Sequence, residues 1–375
     1  MVLTMSGLLG GVRRSVLVGA LAGLVWALVA PAAGAAPPTA AKLRREADRM
    51  VAAGVPGVVV LVRDGSRTVR FARGSSRLKP HRALRVSDRF RIASLTKTYT
   101  ATVVLQLAGE GKLSLEDPVE RWLPGMVPNG AAITLRMLLS HHSGLFDYFN
   151  DPQTIAPYLA GDFAHVWTPE QLVAIGVAHP PLFLPNAQGA YSNTDYVLLG
   201  LVIQTVTGRS LDVEFSQRIF RPLKLRDSFA PTKQRIPGAH AHGYLLAGPD
   251  TLQDVTAVSP THAWATGNIV STANDVAHFY RALMTGRLLR PALLREMTTL
   301  NDRFGLGLIQ GDTRCTTLGH NGEIAGYNAE AQITRNGRRE YVLLANIFTT
   351  SSTVGTPNAD RAWDRLKNIA ACAGR

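Results

Sequence analysis

The 375-residue chain is poor in cysteine, with only Cys315 and Cys372, both near the C-terminus. That allows at most one intrachain disulfide. In an exported protein an even pair reads as one bridge, with two unpaired thiols as the alternative, and neither position carries chemistry. No His-Glu-x-x-His run occurs. His141 and His142 are adjacent, so their side chains diverge, and no carboxylate cluster accompanies His240-Ala-His242. Metallo-hydrolase chemistry and a bound metal are therefore not expected. Also missing are a P-loop, a dinucleotide fingerprint and a Gly-x-Ser-x-Gly elbow, so no organic cofactor is expected and an α/β-hydrolase is disfavoured. Acidic residues are scarce, 27 against 40 Lys and Arg, giving a formal charge of +13. Interleaved aromatics and Gly-rich RNA motifs are absent, so no nucleic-acid partner is expected. Attraction to an anionic cell envelope or an arginine-rich composition bias accounts equally for the charge.

One apolar run approaches membrane-spanning length, from Val16 to Ala30. Arg13 and Arg14 precede it and Pro31-Ala-Ala-Gly-Ala-Ala36 follows, the layout of a signal peptide over residues 1–35 with cleavage after Ala35. An uncleaved membrane anchor is the alternative. Arg13-Arg14-Ser-Val-Leu17 partly matches a twin-arginine export signal. No cysteine closes the apolar run, which argues against a lipoprotein anchor. The mature chain, residues 36–375, is expected to be soluble, monomeric and outside the cytoplasm.

What is present beyond the leader is a globular pattern, in a sequence 46% hydrophobic over its full 375 residues, without repeats or low-complexity segments. Ala40 to Ala53 reads as an amphipathic helix stopped by Gly54 and Pro56. Val58–Val62 and Thr68–Ala72 flank Asp64-Gly65, a hairpin signal. Glu330–Thr334 and Glu340–Leu344 flank Asn336-Gly337, the strongest two-residue turn signal in the chain, and a helix over Ala359–Ala371 follows. Helical patterns dominate between, at Leu135–Leu139, Asp195–Thr207 and Asn274–Thr285. The expectation is an α+β fold: an antiparallel sheet flanked by terminal helices, from about 36–92 and 301–375, with an inserted mostly helical subdomain over about 93–300. A cleft between two such units is the usual place for an active site.

The most informative stretch is Ser94-Leu95-Thr96-Lys97. The apolar spacing of Val103, Val104, Leu105 and Leu107 predicts a helix from Ser94 until Gly109 and Gly111 break it. Residues three apart share a helix face, which brings the Lys97 amine to the Ser94 hydroxyl. A serine is a weak nucleophile without a base in hydrogen-bond reach, and Lys97 supplies one. The spacing alone does not decide, because Ser76-Arg77-Leu78-Lys79 repeats it; there Pro80 follows, no apolar period continues, and a loop is expected.

Two further segments offer partners. Pro185 to Asn193 is a Gly- and Pro-containing loop entering a helix. Tyr191 presents a phenol whose pKa neighbouring cations would depress, fitting it to move a proton. Asn193 presents an amide suited to orienting an amide substrate. Taken alone, Tyr191-Ser192-Asn193 reads equally as a packed tyrosine beside a helix cap. Gly319-His320-Asn321-Gly322-Glu323 is placed at the end of a strand. Gly322 admits a ligand backbone, and the Glu323 N–H joins that of Ser94 as an oxyanion donor. His320 alone reads as a strand-end histidine.

In their order, Ser-x-x-Lys, Tyr-Ser-Asn and His-x-Gly resemble the serine penicillin-recognising enzymes. The variants are similar to those of the secreted D-alanyl-D-alanine carboxypeptidases and class C β-lactamases. Leu138-Leu-Ser-His-His-Ser-Gly-Leu145, Tyr191 to Gly200 and Gly267 to Asp275 extend the resemblance over nearly the whole mature chain. It implies a β-lactamase/transpeptidase-like fold and a secreted serine carboxypeptidase acting through an acyl-enzyme on Ser94, with Lys97, Tyr191 and His320 catalytic. Asn193, Asn321, Gly322 and Glu323 are implied to contact substrate. The implied partners are a peptidoglycan stem peptide or related D-amino-acid peptide or ester, with β-lactams as acylating ligands. The same machinery also serves esterases and D-aminopeptidases, and a non-catalytic cell-wall-peptide-binding homologue is a further alternative. Two departures stand out. Asn321 replaces the hydroxyl residue that commonly helps to hold a carboxylate in the family. His320 in place of Lys removes a permanent cation, which leans toward a peptidase.

Overall fold

A computed structural model describes residues 38–248, 251–348 and 357–372. The expected leader, residues 1–35, lies outside the described residues. Among the described residues no helix is long and apolar enough to cross a membrane.

The elements that position the site are α1 (Pro38–Ala52), β1 (Gly57–Asp64), β2 (Arg67–Arg77), β3 (Arg82–Ala83), α2 (Thr96–Gly109), α3 (Asn193–Thr207), α4 (Ala273–Met284), β4 (Ile309–Gln310), β5 (Leu318–Ile324), β6 (Tyr327–Ile333), β7 (Arg339–Ala345) and α5 (Pro357–Cys372). The seven strands form one antiparallel sheet in the order β3-β2-β1-β7-β6-β5-β4. The two chain ends meet at its centre, where Val58 pairs with Ala345 and Asp64 with Arg339.

Strand β1 shows why both faces are covered. Its apolar run is continuous, the pattern of a strand buried on two sides. Val58, Val60 and Val62 join Leu43, Ala47 and Met50 of α1 and Ala362, Leu366 and Ala370 of α5 in one apolar cluster. Val59 and Leu61 face the other way, into the main core with α2, α3 and α4. Each such side chain contributes about 1.5–3 kcal/mol on full burial. The expected hairpins are present, with Gly65 and Gly337 at φ +60° and +66°, the left-handed region glycine tolerates. Cys315 and Cys372 form a disulfide, with Cα atoms 5.6 Å apart, that ties the loop before β5 to the end of α5.

Three details differ from expectation. Ser76 lies in strand β2 rather than in a loop, and its hydroxyl donates to the carbonyl of Arg82, 3.0 Å away. His320 to Glu323 sit within β5, not at a strand end. Helix α4 belongs to the stretch expected to form the inserted helical subdomain, yet it packs on β1, β6 and β7. Its apolar face, with Val276, Tyr280 and Leu283, joins the main core there, and Tyr280 also meets Thr98 of α2 at 3.0 Å.

Candidate active site

Helix α2 carries the centre of the site. Thr96 to Leu105 is buried on every side, the mark of a core helix, so its first turn is held rigidly. The helix does not start at Ser94 as expected. Ala93 to Leu95 form a 3-10 turn, and Ala93 adopts φ +48°, an unfavourable conformation for a residue with a side chain. That turn brings the Ser94 hydroxyl to the mouth of a cleft of about 380 Å³, whose wall includes Tyr191, Asn193, His320, Asn321, Gly322 and Glu323. All eight residues singled out from the sequence therefore meet at one place.

Lys97 is fully buried. Its Nζ lies 3.2 Å from Ser94 Oγ, 2.7 Å from Asn193 Oδ1 and 3.0 Å from the carbonyl of Thr266. Burial pulls its ammonium down to about 7, against Asp147 and Asp195, which favour the charged form. The last two acceptors can only accept. A neutral amine must give its two N–H bonds to them, which leaves its lone pair for Ser94.

Tyr191 Oη donates to Ser94 Oγ at 3.0 Å. Its pKa is not depressed as expected: burial pushes the phenol well up, although the Ser94 contact favours the anion, so it is a proton-carrying group at neutral pH. The Lys97 Nζ sits 4.9 Å from the centre of its ring. Asn193 also differs from expectation. Its Nδ2 donates to Asp147 Oδ2 at 2.9 Å and Oδ1 at 3.1 Å while its Oδ1 holds Lys97, so both ends of the amide are engaged within the protein.

On the other wall, β4 pairs with β5 only at Leu318 and Gly319, so the rest of β5 runs beside the Ser94 turn. A Cβ placed on Gly322 would lie 2.7 Å from the Ser94 nitrogen and 2.9 Å from the Ile92 carbonyl, which only glycine permits. The backbone of 322–323 thus closes against the Ser94 N–H. His320 is held neutral, pulled down to about 3 by burial and the nearby Lys97. Its Nδ1–H donates to the Asn321 carbonyl, which leaves Nε2 as an acceptor, and its ring centre is 6.1 Å from that of Tyr191.

Sequence reasoning missed three residues that shape the site. Asp147 fixes Asn193, Thr266 supplies a backbone acceptor to Lys97, and Arg303 brings a guanidinium to the cleft wall. Asp147 follows Leu138–Leu145 by two positions, so the signal lay beside a segment already singled out.

A serine, a buried amine of lowered basicity and a protonated phenol on an α+β frame define a serine hydrolase of the β-lactamase and penicillin-binding-protein fold. The chain belongs to the Beta-lactamase family, whose model matches residues 43–362. It is 26% identical over 315 residues to penicillin-binding protein 4* of Bacillus subtilis, covering 77% of this chain and 68% of that one. A D-aminopeptidase of Brucella anthropi is 26% identical over 353 residues, 83% of this chain and 62% of the relative. The solved D-stereospecific amidohydrolase from a Streptomyces species superposes with a TM-score of 0.79 at 36% identity, covering 89% of this chain and 99% of that one. The D-amino acid amidase from Ochrobactrum anthropi SV3 complexed with L-phenylalanine amide gives 0.78 at 28% identity, covering 89% and 98%.

Proposed function

We propose that the protein hydrolyses amide bonds of D-amino acids, in amides or short peptides, through an acyl-enzyme on Ser94. The observation that carries this reading is the arrangement of Lys97. Two of its three hydrogen-bond directions are committed to Asn193 and Thr266, and the third points at the nucleophile. In the neutral state Lys97 takes the Ser94 proton as Oγ bonds to the substrate carbonyl carbon. The N–H groups of Ser94 and Glu323 receive the oxyanion, each donor worth about 3–4 kcal/mol of barrier. As the C–N bond breaks, the Tyr191 phenol gives its proton to the departing nitrogen, and the proton held on Lys97 restores it. Neutral His320 offers its Nε2 to this exchange. Water, with its proton taken by Lys97, then releases the acid. In this reading Asn193 positions Lys97 rather than the substrate, and no metal or organic cofactor takes part.

The likeness to a D-stereospecific amidohydrolase over 99% of its length supports a D-aminoacyl amide as substrate. A specific feature favours the D-alanyl-D-alanine carboxypeptidase reading as a second: Arg303 places a cation on the cleft wall, where a terminal carboxylate needs one now that residue 321 is asparagine. The leader-like N-terminus supports action outside the cytoplasm, on peptidoglycan-derived or related peptides, and the penicillin-binding relatives support acylation by β-lactams.

The test compares ammonia release from D- and L-phenylalanine amide with D-alanine release from diacetyl-Lys-D-Ala-D-Ala. Intact and peptide-level mass spectrometry after penicillin treatment accompanies it. D-selective amide turnover with an adduct on Ser94 is expected. Turnover that survives Ser94→Ala would overturn the proposal.

A further inference from the structure

Tyr191 belongs to no helix or strand, and the loop that delivers it is exposed over residues 186–188. Its phenol nonetheless stands within hydrogen-bond reach of Ser94. What holds the end of this loop is His141, a residue that the Ser94 chemistry does not use. The Ala190 N–H donates to the His141 carbonyl at 2.9 Å, and the Ser192 N–H donates to its Nδ1 at 3.2 Å. Tyr191 is thus gripped on both sides, by the backbone and by the ring of the same residue. The imidazole also packs on the phenol itself, with ring centres 4.6 Å apart.

The ring has a firm seat. Asp195 Oδ2 lies 3.1 Å from Nδ1, and Ser143 donates to the other oxygen of that carboxyl. Tyr196 and Phe304 flank the imidazole, each with its ring centre 5.2 Å away. His141 is only 3% exposed, and burial together with the nearby Lys97 holds it neutral. Ser94 and Lys97 take their hydrogen bonds from other groups, so His141 reaches the nucleophile only through Tyr191.

The backbone of His141 is an independent observation. It follows the short helix Leu135–Leu139, whose cap is Ser140. The His141 N–H returns to the Leu138 carbonyl at 3.3 Å and the His142 N–H to that of Met137 at 2.8 Å, the pairing that closes a helix through a left-handed residue. His141 is that residue, at φ +58°. Glycine usually fills such a position at no steric cost. The histidine keeps a side chain that the turn itself does not need, in a backbone conformation that persists where the surroundings over-determine it.

We propose that His141 is a positioning residue for the reaction: it sets where the Tyr191 phenol stands against Ser94, and so governs delivery of the proton to the departing nitrogen. This rests on reading Tyr191 as the donor to the leaving group. Loss of the ring lets Tyr191 drift, and a misplacement of about 1 Å costs about 10² in rate. A leaving group that needs no proton escapes that cost.

The test measures kcat/KM of the full chain on D-phenylalanine amide and on p-nitrophenyl acetate, whose phenolate departs unprotonated. His141→Gly accepts the left-handed backbone and keeps the carbonyl bond to Ala190 while removing the ring. It should lose about 10² on the amide and less than about threefold on the ester. On a Tyr191→Phe background the same substitution should cause no further loss, to within about twofold. His141→Asn tolerates the left-handed region and offers an oxygen to the Ser192 N–H, so it should recover about fivefold of the amide loss. Equal losses on amide and ester, an undiminished loss on the Tyr191→Phe background, or unchanged amide turnover in His141→Gly overturns the proposal. If His141→Gly does not fold, His141→Asn carries the same two comparisons. Failure of the reading of Tyr191 shows separately, as a Tyr191→Phe protein with unchanged amide turnover.

Discussion

Replacing Asp147 by asparagine isolates the electrostatic control of Lys97. The carboxylate does not touch Lys97; it acts across one amide, that of Asn193. At roughly 6 Å and an effective dielectric constant near 20, it favours the ammonium by about 3 kcal/mol, or about 2 pH units. The active form of Lys97 is the neutral amine, present above its pKa, which lies near 7. In the unaltered protein kcat/KM should therefore fall about tenfold per pH unit below 7. Removing the negative charge at Asp147 lowers the pKa, so the acidic limb should move down by roughly 1–2 pH units. The loosened Asn193 clamp lowers the plateau at the same time, and only the position of the limb reports the charge. The assay is a kcat/KM profile from pH 4 to 10 on one amide substrate, with both proteins in the same buffers. A limb that stays in place, or moves up, would refute the assignment of Lys97 as the titrating base.

Tyr191→Phe should lower kcat/KM by about 10²–10⁴, the usual worth of a positioned proton donor. Because burial pushes its phenol well up, the unaltered profile should show no descending alkaline limb up to pH 10; stopped-flow acylation checks both. In Gly322→Ala the added Cβ would stand 2.7 Å from the Ser94 nitrogen, which must displace one oxyanion donor. A drop of about 10²–10³ in kcat is expected with a stability loss of about 1–3 kcal/mol, read by turnover and urea melts. Cys372→Ser opens a link between residues 57 apart in sequence and should cost about 4 kcal/mol in the chain-entropy account. An unchanged urea midpoint would show that the bridge contributes nothing.

Ser94, Lys97, Tyr191 and the His320–Glu323 run were legible because each is encoded by short-range spacing, with glycines and helix starts that fix local geometry. The terminal helices and hairpins were legible for the same reason: period-2 and period-3.6 patterns end at turn residues. What the sequence concealed were relations between distant segments. Nothing local to Asp147 says that its carboxylate will grip Asn193, 46 residues on. Burial has no local signature either, and it reversed the expected direction for Tyr191 and set the basicity of Lys97. Likewise the α4 pattern declares a helix but not that the sheet will be its partner.

The pairing of β1 with β7 has a consequence for how the molecule is made. Arg63 and Glu340, joined at 2.7 Å, are 277 residues apart in sequence. On a ribosome delivering about 5–20 residues per second, strands β1 and β2 wait for many seconds with one edge unsatisfied. Late closure of such distant pairs is slow because the loop entropy is lost before contacts repay it. The β5 wall of the Ser94 cleft arrives with the same late segment. The enzyme is thus without its oxyanion side until synthesis is nearly complete, and a chain shortened before β7 should have neither a closed sheet nor activity.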